Sequence, residues 1–193
     1  VSAAPDERER LLGAAVELVA EDGYRWASEA AIAKRAGLDD AAFARCFPDR
    51  EQCVLAAFEQ CVARAREQVA RACAQRPWEV AVAAAVAVLL ELCEREPRWA
   101  RFVVVESLCC TPSLLRAREA AVAELTRAVD GGRASAPPGR VVGVATAAGL
   151  VRSALDLVHE RLLGPLLAVD CWSAPLTSMI VLCYRPAGWG SGG

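Results

Sequence analysis

The sequence predicts an all-α chain, and three observations carry the prediction. Alanine is by far the commonest of the 193 residues, with leucine, arginine and glutamate abundant beside it, and these are strong helix formers. Apolar residues recur every three or four positions, the period of one helix face. Prolines and glycines fall between the periodic segments and punctuate them.

The first helix runs from about Asp6 to Asp22, with Leu11, Leu12, Ala15, Leu18 and Val19 on its buried face. Gly23 supplies its stop, and Tyr24 and Trp26 follow as expected anchors to the next helix. Ser28 is a good N-cap for a second, short helix, and Glu29 suits the positive end of its dipole. Ile32, Ala33 and Ala36 face inward. Gly37 can take the left-handed conformation that ends this helix, and Leu38 plugs the turn. Asp39 caps a third helix, whose core contacts are Phe43 and Phe47, four residues apart. Two short helices joined by a tight turn form the outline of a DNA-reading helix-turn-helix.

Pro48 and Asp49 start a long fourth helix, from about Arg50 to Arg76. Pro77 opens a fifth from Trp78 to Glu94, and Pro97 a short sixth with Trp99, Phe102 and Val103. Pro112 opens a seventh, through about Val129. Residues 131–139 read as a loop. An eighth helix then reaches about Leu163, Gly164-Pro165 breaks it, and a last one spans about Ala174 to Tyr184. The tail from Pro186 is Gly-rich and reads as loose. Two apolar runs, Val80–Leu90 and Val141–Val151, are too short for a bilayer, which needs ~20 residues. They read as helices apolar on nearly every side, and therefore as buried ones.

The hydrophobic fraction of 55% excludes a disordered chain. The net charge is −2. Residues 1–50 hold ten acids against seven bases, where a nucleic-acid binder is usually positive. The nine cysteines sit mostly singly inside apolar helical patterns, as small hydrophobes. No signal peptide pattern opens the sequence, which points to a reduced, cytoplasmic setting. No Cys-x-x-Cys occurs, and with one histidine, His159, the chain predicts neither a metal nor a cofactor. The adjacent pair Cys109-Cys110 lacks a partner that would make it a redox or metal site. Paired carboxylates in a cleft, a Ser/His/Asp set and a phosphate loop are all missing, so an enzyme is not expected.

Leu12, Ala14-Ala15, Leu18, Gly23, Tyr24, Ile32-Ala33, Ala36-Gly37-Leu38, Phe43, Phe47 and Asp49-Arg50-Glu51 stand in an order and spacing that resembles the tetracycline-repressor (TetR) family of bacterial regulators. The resemblance covers roughly residues 8–58, and the remainder agrees in helix layout. It implies a helix-turn-helix DNA-binding domain over residues 1–50 and a helical effector-binding and dimerisation domain over 51–185. The family function so implied is a transcriptional repressor released from operator DNA by a small apolar effector. Ser28, Lys34, Arg35, Asp39, Asp40, Ala41, Ala42, Ala44, Arg45 and Arg50 fall at the DNA-contact positions. Trp78, Trp99, Phe102, Glu106 and Cys109 fall on helices that line the family's ligand cavity. The family often places an aromatic residue at Ala44 and a basic or polar one near Asp40, so most contact positions have lost their usual chemistry here.

The recognition helix therefore offers Arg45 as its single long basic side chain, while Asp39 and Asp40 can accept from cytosine amino groups. The alternative reading is a helical ligand-binding or protein-interaction module with weakened or lost DNA binding. Val141–Val151, with Gly143 and Gly149 permitting close approach, predicts a homodimer. Its four-helix interface would use Val144, Ala148, Val151 and Leu155 with Leu176, Ile180 and Cys183.

Overall fold

The computed structural model describes residues 5–136, 142–143, 145–164 and 170–185; Val144 and the tail from residue 186 lie outside that set. Nine α-helices and no strand occur among the described residues. They are α1 (Pro5–Asp22), α2 (Glu29–Arg35), α3 (Asp40–Cys46), α4 (Arg50–Cys73), α5 (Trp78–Arg95), α6 (Pro97–Ala100), α7 (Pro112–Asp130), α8 (Thr146–Leu163) and α9 (Asp170–Leu182). None of the described helices is long and apolar enough to cross a membrane.

The chain divides into two compact units. The first comprises residues 1–64 and 95–119, the second residues 65–94 and 120–193. In the first, the inward faces of α1 to α4 supply Leu11, Leu12, Val19, Ile32, Phe43, Val54 and Phe58, all buried. Phe43 and Phe47 meet with ring centroids 5.9 Å apart. Phe58 meets Phe102 edge to face at 6.3 Å. Phe102 lies in a single π-helical turn, Arg101–Val105, that continues α6.

The second unit is built on Val82, Val122, Val129, Val142, Ala147, Val151, Ile180, Val181 and Tyr184. Trp78 packs edge to face on Tyr184 at 5.0 Å and donates its indole N–H to the Ala128 carbonyl. A Cβ at Gly132 would run into the Trp78 ring, so this close approach favours glycine.

Several boundaries differ from the sequence reading. Trp26 is 67% exposed and anchors nothing; the buried residue of that connection is Ala27. Residues 131–135 form a 3-10 helix instead of an open loop. From it the Arg133 guanidinium donates to the carbonyls of Val142 and Gly143. Those two residues are non-helical, and α8 begins only at Thr146. The β-branched valines and Gly143 are poor helix starters. α9 begins four residues earlier than expected and carries Pro175 inside it. Within α5 the apolar run is not buried on all sides: of residues 80–90 only Val82 is buried, Val80 is exposed, and Ala81 and residues 83–90 are half-buried.

Candidate nucleic-acid interface

Short-range polar signals build the helix-turn-helix. The Ser28 hydroxyl accepts from the Ala31 amide at 3.2 Å and so caps α2. Gly37 sits at φ 67°, a left-handed conformation that a side chain would strain. The Leu38 amide then reaches back to the Ala33 carbonyl at 2.9 Å, closing the turn as a Schellman-type end. The Asp39 carboxylate accepts from the Ala42 amide at 2.7 Å and caps α3.

With Ala42 and Phe43 buried, α3 turns Asp40, Ala41, Ala44 and Arg45 outward, all four exposed. This is the surface a major groove would meet. Ala42, placed by sequence among the contact residues, is 2% exposed and belongs to the core of the head. Asp39 is engaged as the cap.

Two of the four expected basic contacts, Arg35 and Arg45, are held by carboxylates of the same chain. Arg45 donates to Glu7, at the start of α1, at 2.9 Å. Arg35 donates to Glu21 at 2.9 Å and to Glu17 at 3.3 Å. That bond holds the Glu21 carboxyl below its ordinary range and raises the Arg35 guanidinium. Glu21 also pairs with Arg98 of α6 at 2.7 Å. Arg50 lies over the Tyr24 ring at 4.2 Å and donates to the Tyr24 carbonyl. Lys34 is exposed on α2 and makes no side-chain hydrogen bond or ion pair among the described residues.

The start of α4 is occupied as well. Glu29 accepts from the Arg50 amide at 3.1 Å, and Asp49 accepts from the Gln52 amide at 2.8 Å. Helix-start amides are natural phosphate donors, and here carboxylates already fill two of them. Above them opens a cleft of about 700 Å³ whose lining sets Glu29, Asp40, Asp49 and Glu51 against Arg50. Sequence reasoning missed Glu7, and it assigned Glu29 to the dipole of its own helix. Neither pairing has a fixed spacing to betray it, because both partners meet across helices.

The expected effector residues do not gather in one unit. Trp78 belongs to the second unit and the other four to the first. Trp99 is buried and donates to the Cys61 carbonyl at 3.4 Å, and Phe102 is fully buried. Glu106 pairs with Arg101 at 3.3 Å, while Cys109 is exposed. The Cys110 thiol donates to the Glu106 carbonyl, and burial pushes it up to about 12. No group of three or more His, Cys, Asp or Glu gathers as a metal site among the described residues.

Of the expected interface residues, Val151, Leu176 and Ile180 are buried within the chain itself. Leu155 and Cys183 pack against the second core, and Ala148 is half-buried. The outward face of α9 is instead Cys171, Ala174, Pro175, Ser178 and Leu182.

Residues 11–57 match the family model for bacterial regulatory proteins, tetR family. No curated protein sequence matches the chain. Many solved structures do. One is a TetR family transcription regulator from Marinobacter aquaeolei VT8, with TM-score 0.72 and 24% identity over 92% of this chain and 95% of that one. A second is the fatty acid degradation regulator FadR of Bacillus halodurans, with TM-score 0.80 and 16% identity over 94% and 97%. FadR of Bacillus subtilis, in complex with stearoyl-CoA, gives TM-score 0.74 and 18% identity over 90% and 97%. At these identities the solved structures establish the fold.

Proposed function

We propose that this chain, which belongs to the TetR family of bacterial regulatory proteins and is a DNA-binding transcriptional regulator, represses as a homodimer that an apolar effector releases from its operator. The observation that carries the DNA-binding part is the capped α2–turn–α3 unit with Asp40, Ala41, Ala44 and Arg45 outward. Ser28 and Lys34 of α2 flank that surface, and Arg35, Arg45 and Arg50 join once phosphates compete for their present partners. In functional terms residues 1–50 are the reading head, and residues 51–185 bind effector and partner.

The effector reading is supported by α5. Its small apolar residues are half-buried around the helix, which leaves an apolar wall within reach of a ligand. Alanine and valine leave room for a flexible acyl chain, a class consistent with the stearoyl-CoA complex of Bacillus subtilis FadR. Release follows if the ligand binds best to the conformer whose two heads are misspaced for DNA.

The dimer reading rests on α8 and α9. α9 carries no charge after its first residue, yet Ala174, Pro175 and Leu182 are exposed. An uncharged exposed face of this kind suits a two-fold contact. A single Ser178→Arg substitution would place two like charges across the axis. Light scattering is expected to show a dimer at micromolar concentration and a monomer for Ser178→Arg; a wild-type monomer would overturn the dimer.

Fluorescence anisotropy against the promoter of its own gene tests the function directly. Binding tighter than to random DNA, weakening with salt and reversed by stearoyl-CoA, is the expected result. Binding equal to random DNA favours the second reading, an interaction module with a weak DNA grip. The pairing of Arg35 and Arg45 with carboxylates of the same chain is what supports that second reading.

A further inference from the structure

On the DNA-reading function argued above, we propose that Asp40 is the side chain that selects operator sequence, and that the base it selects is cytosine. Four residues of α3 face outward. Ala41 and Ala44 offer a methyl group each, which favours a thymine methyl and bonds to nothing. Arg45 is held 2.9 Å from Glu7. Asp39, its neighbour, has its carboxylate committed to the Ala42 amide as the cap of α3. Asp40 stands alone: its side chain is exposed, borders the acidic cleft, and makes no hydrogen bond or ion pair among the described residues. It is the one unengaged polar side chain on the reading face.

A carboxylate only accepts. Major-groove donors are the cytosine N4 amino and the adenine N6 amino groups. Beside adenine N6 lies N7, an acceptor whose lone pair repels the second carboxylate oxygen. Beside cytosine N4 lies the C5–H edge, which carries no lone pair. Asp40 therefore prefers cytosine to adenine, and it finds no donor on guanine or thymine. The same charge is repelled by phosphates, so Asp40 trades affinity for selectivity. A residue that only holds the fold would not couple those two quantities.

The test is selection from a random duplex library by the full chain, in wild-type form and as Asp40→Asn, Asp40→Ala and Asp39→Asn. Wild type is expected to enrich a motif in which one position favours cytosine by about tenfold, the scale of one good base contact. Asp40→Asn moves that position toward adenine, whose N6 and N7 suit a carboxamide. Asp40→Ala levels the four bases there and binds random DNA more tightly. Asp39→Asn, which keeps the cap, leaves the motif unchanged. A motif that survives Asp40→Asn and Asp40→Ala unaltered, or that changes with Asp39→Asn, overturns the assignment to Asp40 alone. A wild-type chain that enriches no motif overturns the DNA-reading function on which it stands.

Discussion

The helix-turn-helix head and the second unit are made of the same helix-forming residues, but their architecture is specified differently. In the head, each helix end is met by a polar group or a glycine close by in sequence. Ser28 caps α2, Gly37 turns the chain, Asp39 caps α3 and Asp49 caps α4. In the second unit, α8 has no side-chain cap, and the residues ahead of it are held by Arg133 of a different element, which donates to the carbonyls of residues 142 and 143. Local polar signals fix boundaries by satisfying the orphan amides and carbonyls of a helix end. Apolar composition fixes that a segment is helical and covered, without fixing where it starts or which neighbour covers it.

Four measurements would break or sharpen that contrast, beginning with the largest effect. Phe43→Ala empties an aromatic site between α2 and α3 and is expected to cost about 3–5 kcal/mol. Val151→Ala in the second core removes less volume, at about 1–3 kcal/mol. Urea unfolding of both variants measures the two; a larger loss at Val151 would mean that the second unit, not the head, is the tightly specified one. Asp39→Ala leaves the start of α3 uncapped and should cost about 1 kcal/mol, with Asp39→Asn near wild type. A melting temperature that ignores Asp39→Ala would remove the cap from the account of the head.

The next effect is on binding instead of stability. Glu7→Gln releases Arg45, and Glu29→Gln frees the first amide of α4 of a carboxylate charge. Each is expected to raise affinity for random DNA about fivefold at low salt, the upper range for an exposed ion pair. Anisotropy titrations that show no gain would mean these carboxylates do not compete with phosphate.

The smallest effect concerns the thiols. Burial pushes Cys53 and Cys61 up to about 12 and Cys93 up to about 11, from an ordinary 9.0. In the unfolded chain these thiols ionise near pH 9, whereas in the folded chain they stay protonated. Their contribution to stability is therefore whole below pH 9 and declines as pH rises toward 12. A chromogenic disulfide at pH 8 should react first with exposed Cys109 and Cys171, and with Cys53 and Cys61 only after denaturation. Fast loss of the buried pair would show that α4 opens readily.

The head was largely legible from sequence. The caps at Ser28 and Asp39, the left-handed Gly37 and the Phe43–Phe47 pair all stand where spacing put them. Its chemistry was less so. Arg45 and Arg35 read as contact residues until Glu7, Glu17 and Glu21 arrive from α1. Val151, Leu176 and Ile180 read as candidates for a chain-to-chain face because both helices are apolar on several sides. Their burial in the chain's own core leaves Cys171, Ala174, Pro175, Ser178 and Leu182 as the exposed face of α9.

The sequence by itself determined that the chain is helical, where the head's helices begin and end, and which residues fill that head. These are consequences of hydrogen bonds and periodicity within a few residues. Only the tertiary structure decided which charges remain free to meet DNA and which apolar faces remain uncovered. Those outcomes depend on partners brought together from distant parts of the chain, at separations no local pattern encodes. Asp40 illustrates both halves: its position at the start of α3, one residue after the cap Asp39, is local, and its standing beside an Arg45 already paired with Glu7 is tertiary.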